Sequence, residues 1–229
     1  MNRKKINRIL LYLLGLVLLA VGLTFNTKTD LGVSPLISLP YSVSQIWDLS
    51  FPAMVFLLYI LFVALQFLLR RKNGQLWDLL LQIPLSIFFS LLLDIMDKGY
   101  DILAQRLGLP EETLIFRFSL LAAAVIITGI GTAMTVAMDL IPNPADGLAK
   151  AIGEATRRNL GTGKNILDLS CVAVTCAIGI IRTGGWPVGI GIGTVVAMIC
   201  VGRCIAVFNR FFHDKMMSAI EDEPIKEQL

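Results

Sequence analysis

The sequence predicts an all-α membrane protein of six spans, arranged as two inverted three-helix repeats that each carry a short re-entrant or interfacial helix. Three observations point there. The 229 residues are 55% hydrophobic and only 16% charged, with a mean hydropathy of +0.74, against roughly a quarter charged in ordinary soluble domains. Apolar runs of spanning length recur along the whole chain, and a span needs ~20 apolar residues, which leaves no room for a separate soluble catalytic domain. Finally, the chain resembles itself when slid by 109 residues.

The apolar runs place spans near 9–27, 52–70, 77–97, 114–138, 165–182 and 187–209. The first follows Arg3, Lys4, Lys5 and Arg8 as a signal peptide would, but no small-x-small cleavage site follows it, so it reads as an uncleaved span. Segments 35–47 and 144–157 are too short or too polar to cross. With the amino terminus inside, the inner segments collect Arg3, Lys4, Lys5, Arg8, Arg70, Arg71, Lys72, Lys150, Arg157, Arg158, Lys164, Arg203, Arg210, Lys215 and Lys226. The outer side keeps Lys28, Lys98, Arg106, Arg117 and Arg182, and its longest loop, 97–113, also holds Asp97, Asp101, Glu111 and Glu112. The positive-inside rule then puts both termini, including a tail from 210 to 229, in the cytoplasm of a cell with a plasma (inner) membrane.

The shift of 109 aligns Gly22 with Gly131, Asp30 with Asp139, Leu31 with Leu140, Pro35 with Pro144 and Leu39 with Leu148. Repeat one covers about 9–97 and repeat two about 114–209. Each reads span, Asp-Leu, a polar residue before Pro, a short helix, a span, a turn with Gly and Trp (Gly74 to Trp77, Gly184 to Trp186), and a third span. An odd number of spans inverts the second copy, as in many secondary transporters. Ser34-Pro35 and Asn143-Pro144 place an N-cap side chain before a proline at the first helical position, where its missing N–H costs nothing. If these helices re-enter, their positive ends lie inside the protein, one from each face. Pro40 weakens the first copy, because it removes a hydrogen bond early in a short helix.

Thr29-Asp30-Leu31-Gly32-Val33-Ser34-Pro35, Asn143-Pro144-Ala145-Asp146-Gly147-Leu148 and the run Gly189-Ile190-Gly191-Ile192-Gly193-Thr194 resemble the YczE/YitT-like family of bacterial integral membrane proteins. The resemblance spans most of the chain and implies a bacterial inner-membrane protein, with no settled substrate. The family's first motif usually passes from Ser-Pro into Trp, where this chain has Leu36.

Six residues are candidate substrate-binding groups. Asp30 and Asp139 are repeat-related acids at span ends, where an ionisable group is costly unless paired or wet, although Lys28 is placed to pair with Asp30. Ser34 and Asn143 open the short helices. Asp146 stands where a carboxylate reaches back to the cap N–H and complements the positive helix end, which would disfavour an anionic solute there and favour a cation, a proton or a neutral amine. Asp168 shares a face with Lys164 at i, i+4 and lies deeper in its apolar run. Asp94 with Arg117, and Asp78 with Arg203, match in depth and are expected to pair. Gly129, Gly131, Gly189, Gly191 and Gly193 suit close helix packing.

Cys171, Cys176, Cys200 and Cys204 all lie in apolar runs, so neither a disulfide framework nor a metal site is expected of them. No catalytic constellation forms around His213, no cofactor motif is present, and the scattered charge does not suit nucleic acid. The expected partners are the lipid bilayer and a small-molecule solute, with a proton or cation as coupling ion, and self-association into a homo-oligomer is compatible with the pattern. The expectation is therefore a small-solute secondary transporter or facilitator with a polar site between the repeats near the midplane. The alternative is a non-transporting scaffold or regulatory partner acting through Arg157, Arg158 and the acidic Glu221-Asp222-Glu223.

Overall fold

In a computed structural model, residues 3–69, 76–110, 113–158 and 160–220 are described and form eight helices. They are α1 (Arg3–Thr27), α2 (Pro35–Trp47), α3 (Phe51–Leu69), α4 (Leu76–Leu107), α5 (Leu114–Met138), α6 (Pro144–Ala155), α7 (Leu160–Thr183) and α8 (Ile192–Ile220). Six of them, all but α2 and α6, are long and apolar enough to cross a bilayer.

The helices run further than hydropathy alone predicts. Helix α1 starts at Arg3 rather than near 9, and α4 continues to Leu107 through residues expected in a loop. Asp94 and Lys98 support the turn at which it passes the expected end, with an acid four residues ahead of a base and an ion pair of 2.6 Å. Helix α8 begins only at Ile192, because Gly189 adopts a positive φ of 84° and the chain turns there, so Gly189 and Gly191 lie ahead of the helix rather than within a span. Helix α2 runs unbroken through Pro40: the buried Ile37 and Ser38 hold it in place, and one missing hydrogen bond is outweighed by packing.

Helices α1 and α5 pack antiparallel at the centre. A Cβ at Gly131 would lie 2.6 Å from Leu19 N and one at Gly22 would lie 2.7 Å from Thr128 N, so glycine is what lets the two backbones approach. Around this pair, α2 lies against α3 and α7, α6 against α7 and α3, α4 against α3 and α1, and α8 against α5. The main core contains Leu16, Ala20, Val55, Phe89, Leu93 and Met138, all 1% exposed or less. Large apolar side chains such as Leu57, Leu68, Leu91, Ile115 and Ile181 are exposed, as a surface turned to lipid requires.

Several positions 109 apart share backbone geometry. The non-glycine residues with positive φ, among those described, are Asp30 (56°) and Asp139 (43°), then Asp48 (52°) and Arg157 (54°). Ser34 and Asn143, which precede the two prolines, have φ/ψ of −54°/142° and −56°/139°. Both short helices close with the same bond, Leu49 N–H to Ser44 O at 2.9 Å and Arg158 N–H to Gly153 O at 2.7 Å.

Candidate functional site

The two short helices both run outward from the interior. Ser38 of α2 meets Thr175 of α7 at 3.0 Å between hydroxyls, and Trp47, at the other end of α2, stacks under Arg182 at 5.2 Å. Thr175 lies about 12 Å along α7 from Thr183, at ~1.5 Å per residue. Helix α6 runs the opposite way, since a Cβ at Gly163 near the start of α7 would meet Ala149 and Gly153, while Asp146 lies close enough for its charge to act on Asp168. The amino-terminal ends of α2 and α6 therefore both come level with the middle of α7, near the buried Cys171.

Polar side chains gather around these ends. Asn143 caps α6 by accepting from Ala145 N–H at 3.1 Å, and its Nδ2 donates to the Tyr59 hydroxyl at 3.4 Å; Asn143 is 7% exposed and Tyr59 1%. Asp146 is half-buried, as is Asp168, and the charge of Asp146 also reaches Tyr12 and Tyr59. The cap bond is made by Asn143, so the expected reach of Asp146 back to the cap is not its contact among the described residues. Lys164 acts on Asp168 by its charge from the same helix face.

Two fully buried glutamines complete the cluster. The Gln66 and Gln82 carboxamides exchange hydrogen bonds of 2.9 and 3.2 Å, and Gln66 Nε2 also donates to Pro144 O at 3.0 Å. On the other short helix the Ser38 hydroxyl bonds Pro35 O at 2.7 Å. Gln66 and Thr175 are 109 apart, and so are Ser38 and Gly147; Gly147 leaves the space that the longer Gln66 fills. The sequence reading missed both glutamines because each is a lone uncharged residue whose polarity is averaged away over a long apolar run. Their signal was depth: a carboxamide in mid-span needs a partner.

Asp30 lies elsewhere, whereas Ser34 stays at the amino-terminal end of α2. Asp30 is exposed and pairs with Arg117 at 3.0 Å, which corrects two expectations: Arg117 does not pair with Asp94, and Lys28 does not pair with Asp30. Lys28 instead bridges Asp97 at 2.9 Å and Asp101 at 2.6 Å. Burial alone would lower the Lys28 pKa, but the hydrogen bonds and charges of these two carboxylates outweigh it and hold the ammonium above the ordinary lysine range. Ser34 stands at the cap of α2 without a side-chain cap bond; its N–H donates to Asn26 Oδ1. Next to this end lies a cavity of about 540 Å³ lined by Asp30, Tyr41, Gln45, Trp186 and the backbone of Gly189 to Gly191.

Asp139 is exposed at the opposite end, where Arg8 donates to Met138 O at 2.6 Å and to Asp139 O at 2.9 Å. Arg8 and Arg117 are 109 apart, and their partners Asp139 and Asp30 are too. Of the other expected groups, Asp78 and the acidic stretch 221–223 lie outside the described side chains, and His213 is exposed, 3.5 Å from Asp214. Among the described residues no three His, Cys, Asp or Glu side chains converge as a metal would need.

Six spanning helices around a polar interior define a multi-pass helical membrane protein. The chain belongs to a family of unknown function, DUF6198, which matches residues 6–210. No curated protein and no solved structure matches it.

Proposed function

We propose that the chain is a secondary transporter or facilitator for a small solute in a bacterial inner membrane, with both termini cytoplasmic, two inverted three-span repeats, and α2 and α6 as re-entrant helices. One observation carries this reading: two short helices enter from opposite ends of the bundle and bring their amino-terminal ends to the same level of α7. Interrupted backbone at membrane depth is tolerated where it is buried in protein or lines a path for solute, and transporters place their binding sites at such ends. The matched positive-φ residues, matched helix closures and matched arginines, all 109 apart, support the repeat. The sequence resemblance to YczE/YitT-like proteins fits the same reading.

The solute site proposed is the polar cluster of Asn143, Asp146, Tyr59 and Asp168. Both acids belong to the second repeat, and their matches in the first are Ile37 and Tyr59, so the site departs from the repeat where chemistry would be done. Two half-buried carboxylates beside the Tyr59 hydroxyl favour a cationic or amine-bearing solute, or a proton in its place. The cavity at Asp30, Tyr41 and Trp186 is the approach from one side, and the glycine-packed α1–α5 contact closes the centre.

The test is solute flux into liposomes with and without a pH gradient. Asp146→Asn and Asp168→Asn should abolish flux, whereas neutralising Arg157 and Arg158 should leave it intact. Absence of flux from the unaltered chain would favour the scaffold reading, and flux indifferent to the gradient would remove the proton.

A further inference from the structure

The groove between α1 and α4 has no part in the proposed solute path. It is a cleft of about 460 Å³ walled by Ile9, Leu13 and Leu16 of α1, Leu81 and Phe88 of α4, and Leu140 and Ile141 of the connection from α5 to α6. Ile9, Leu13, Leu81 and Phe88 are each about two-fifths exposed, so the cleft opens sideways, toward the hydrocarbon of a bilayer. Pro84 lies in its α4 wall, where a missing N–H loosens the helix beside the opening. Tyr12, the polar side chain of the α1 wall, already spends its hydroxyl on Ile141 O at 2.8 Å, leaving an apolar interior.

One end of the cleft is basic. Arg8 adjoins Ile9 and is bonded to Met138 and Asp139, the residues that lead into the Leu140 wall; its bond to Asp139 is exposed, and a guanidinium carries further donors. Lys5, also exposed, sits one turn before Ile9 on the same face, and Arg3 and Lys4 precede it. These cations outweigh the exposed Asp139 beside them.

We propose that this cleft is a binding site for an anionic phospholipid, one acyl chain lying between α1 and α4 and the phosphate headgroup facing Arg8 and Lys5. The wall from Ile9 to Leu16 is about 10 Å long, enough for the upper half of a chain in one leaflet. Basic pockets between spans select anionic headgroups, and an apolar slot confers affinity for the chain. The inference stands independently of transport, since it uses neither Asp146 nor Asp168.

The experiment compares the full chain in detergent with phosphatidylglycerol or phosphatidylcholine of identical acyl chains, reading the unfolding midpoint and the lipid retained in native mass spectrometry. Phosphatidylglycerol should raise the midpoint by several degrees more than phosphatidylcholine and remain bound one-to-one. Leu81→Trp, which fills an already exposed position, should erase the response to both lipids. Lys5→Gln should erase only the preference between them. Equal responses of the unaltered chain, a preference surviving in Leu81→Trp, or stabilisation by inorganic phosphate without lipid would each overturn the proposal. Ile9→Trp fills the same cleft from α1 and decides the matter if Leu81→Trp fails to fold.

Discussion

Replacing Gly131 by alanine tests the centre of the fold. The new Cβ would lie 2.6 Å from Leu19 N and 2.8 Å from Gly15 O, both backbone atoms of α1 that cannot rotate away. Reaching ordinary contact requires α5 to withdraw by about 0.8 Å, and a gap of that size forfeits a quarter to a half of the dispersion well at each contact it opens. Overpacking of this kind costs ~1–3 kcal/mol, against which alanine returns ~0.5–1 kcal/mol of helix propensity. The expected result is a net loss of roughly 1–2 kcal/mol, read as unfolding in a graded detergent–dodecyl sulfate titration followed by circular dichroism. Gly202→Ala is the matched control: a Cβ there meets nothing within 4 Å, so helix propensity alone should make it neutral or slightly stabilising. If the two substitutions move stability in the same direction by similar amounts, the α1–α5 contact is not the close backbone approach described.

Gln66→Leu should destabilise by ~1–3 kcal/mol by leaving Gln82 and Pro144 O unpaired, and adding Gln82→Leu should recover part of it; additive losses in the same titration would dissociate the pair. Asp30→Asn removes one ion-pair partner of Arg117, but with an Asp30 side chain 73% exposed the loss should stay below ~1 kcal/mol and shrink further in 0.5 M salt. Lys28→Met should cost stability at neutral pH. Because the folded-state pKa of Lys28 is raised, the advantage of the unaltered chain should be fully present below the ordinary lysine value of 10.5 and fade as pH climbs through the higher folded value; a gap that closes well below pH 10 would contradict the bridge to Asp97 and Asp101.

Helix positions were legible in the sequence because they depend on composition summed over a window. The first short helix, 35–47, and the fourth span, 114–138, coincide with α2 and α5, and the second short helix ends two residues before the expected 157. Hydropathy cannot follow a helix beyond the bilayer, which is why the charged ends of α1, α4 and α8 were cut short. Side-chain partners were less legible. Asp94 and Asp30 both lie near the level of Arg117, and depth fixes height but not direction around a helix, so Arg117 was given the wrong acid. The shift of 109 would have found the right one: it aligns Arg8 with Arg117 as well as Asp139 with Asp30, and each arginine bonds the segment holding the matching acid.

The two short helices differ most where they meet a neighbour, and the differences compensate. In one, Ser38 is small, polar and beside Thr175, and its own hydroxyl satisfies Pro35 O. In the other, Gly147 has no side chain, and Gln66 reaches over from α3 to satisfy Pro144 O instead. A buried carbonyl in the first turn of a broken helix needs a donor for its second lone pair when water is absent. On the proposed repeat, matched positions meet this need with different residues, and the backbone rather than sequence identity holds the geometry. That explains why the internal likeness is faint in letters yet close in φ and ψ. It also isolates Asp146 and Asp168: neither is required for either solution, and both sit beside the α6 end in place of Ile37 and Tyr59. A half-buried acid that the architecture does not need is a stability cost, and service to a solute or proton is the role that would retain it.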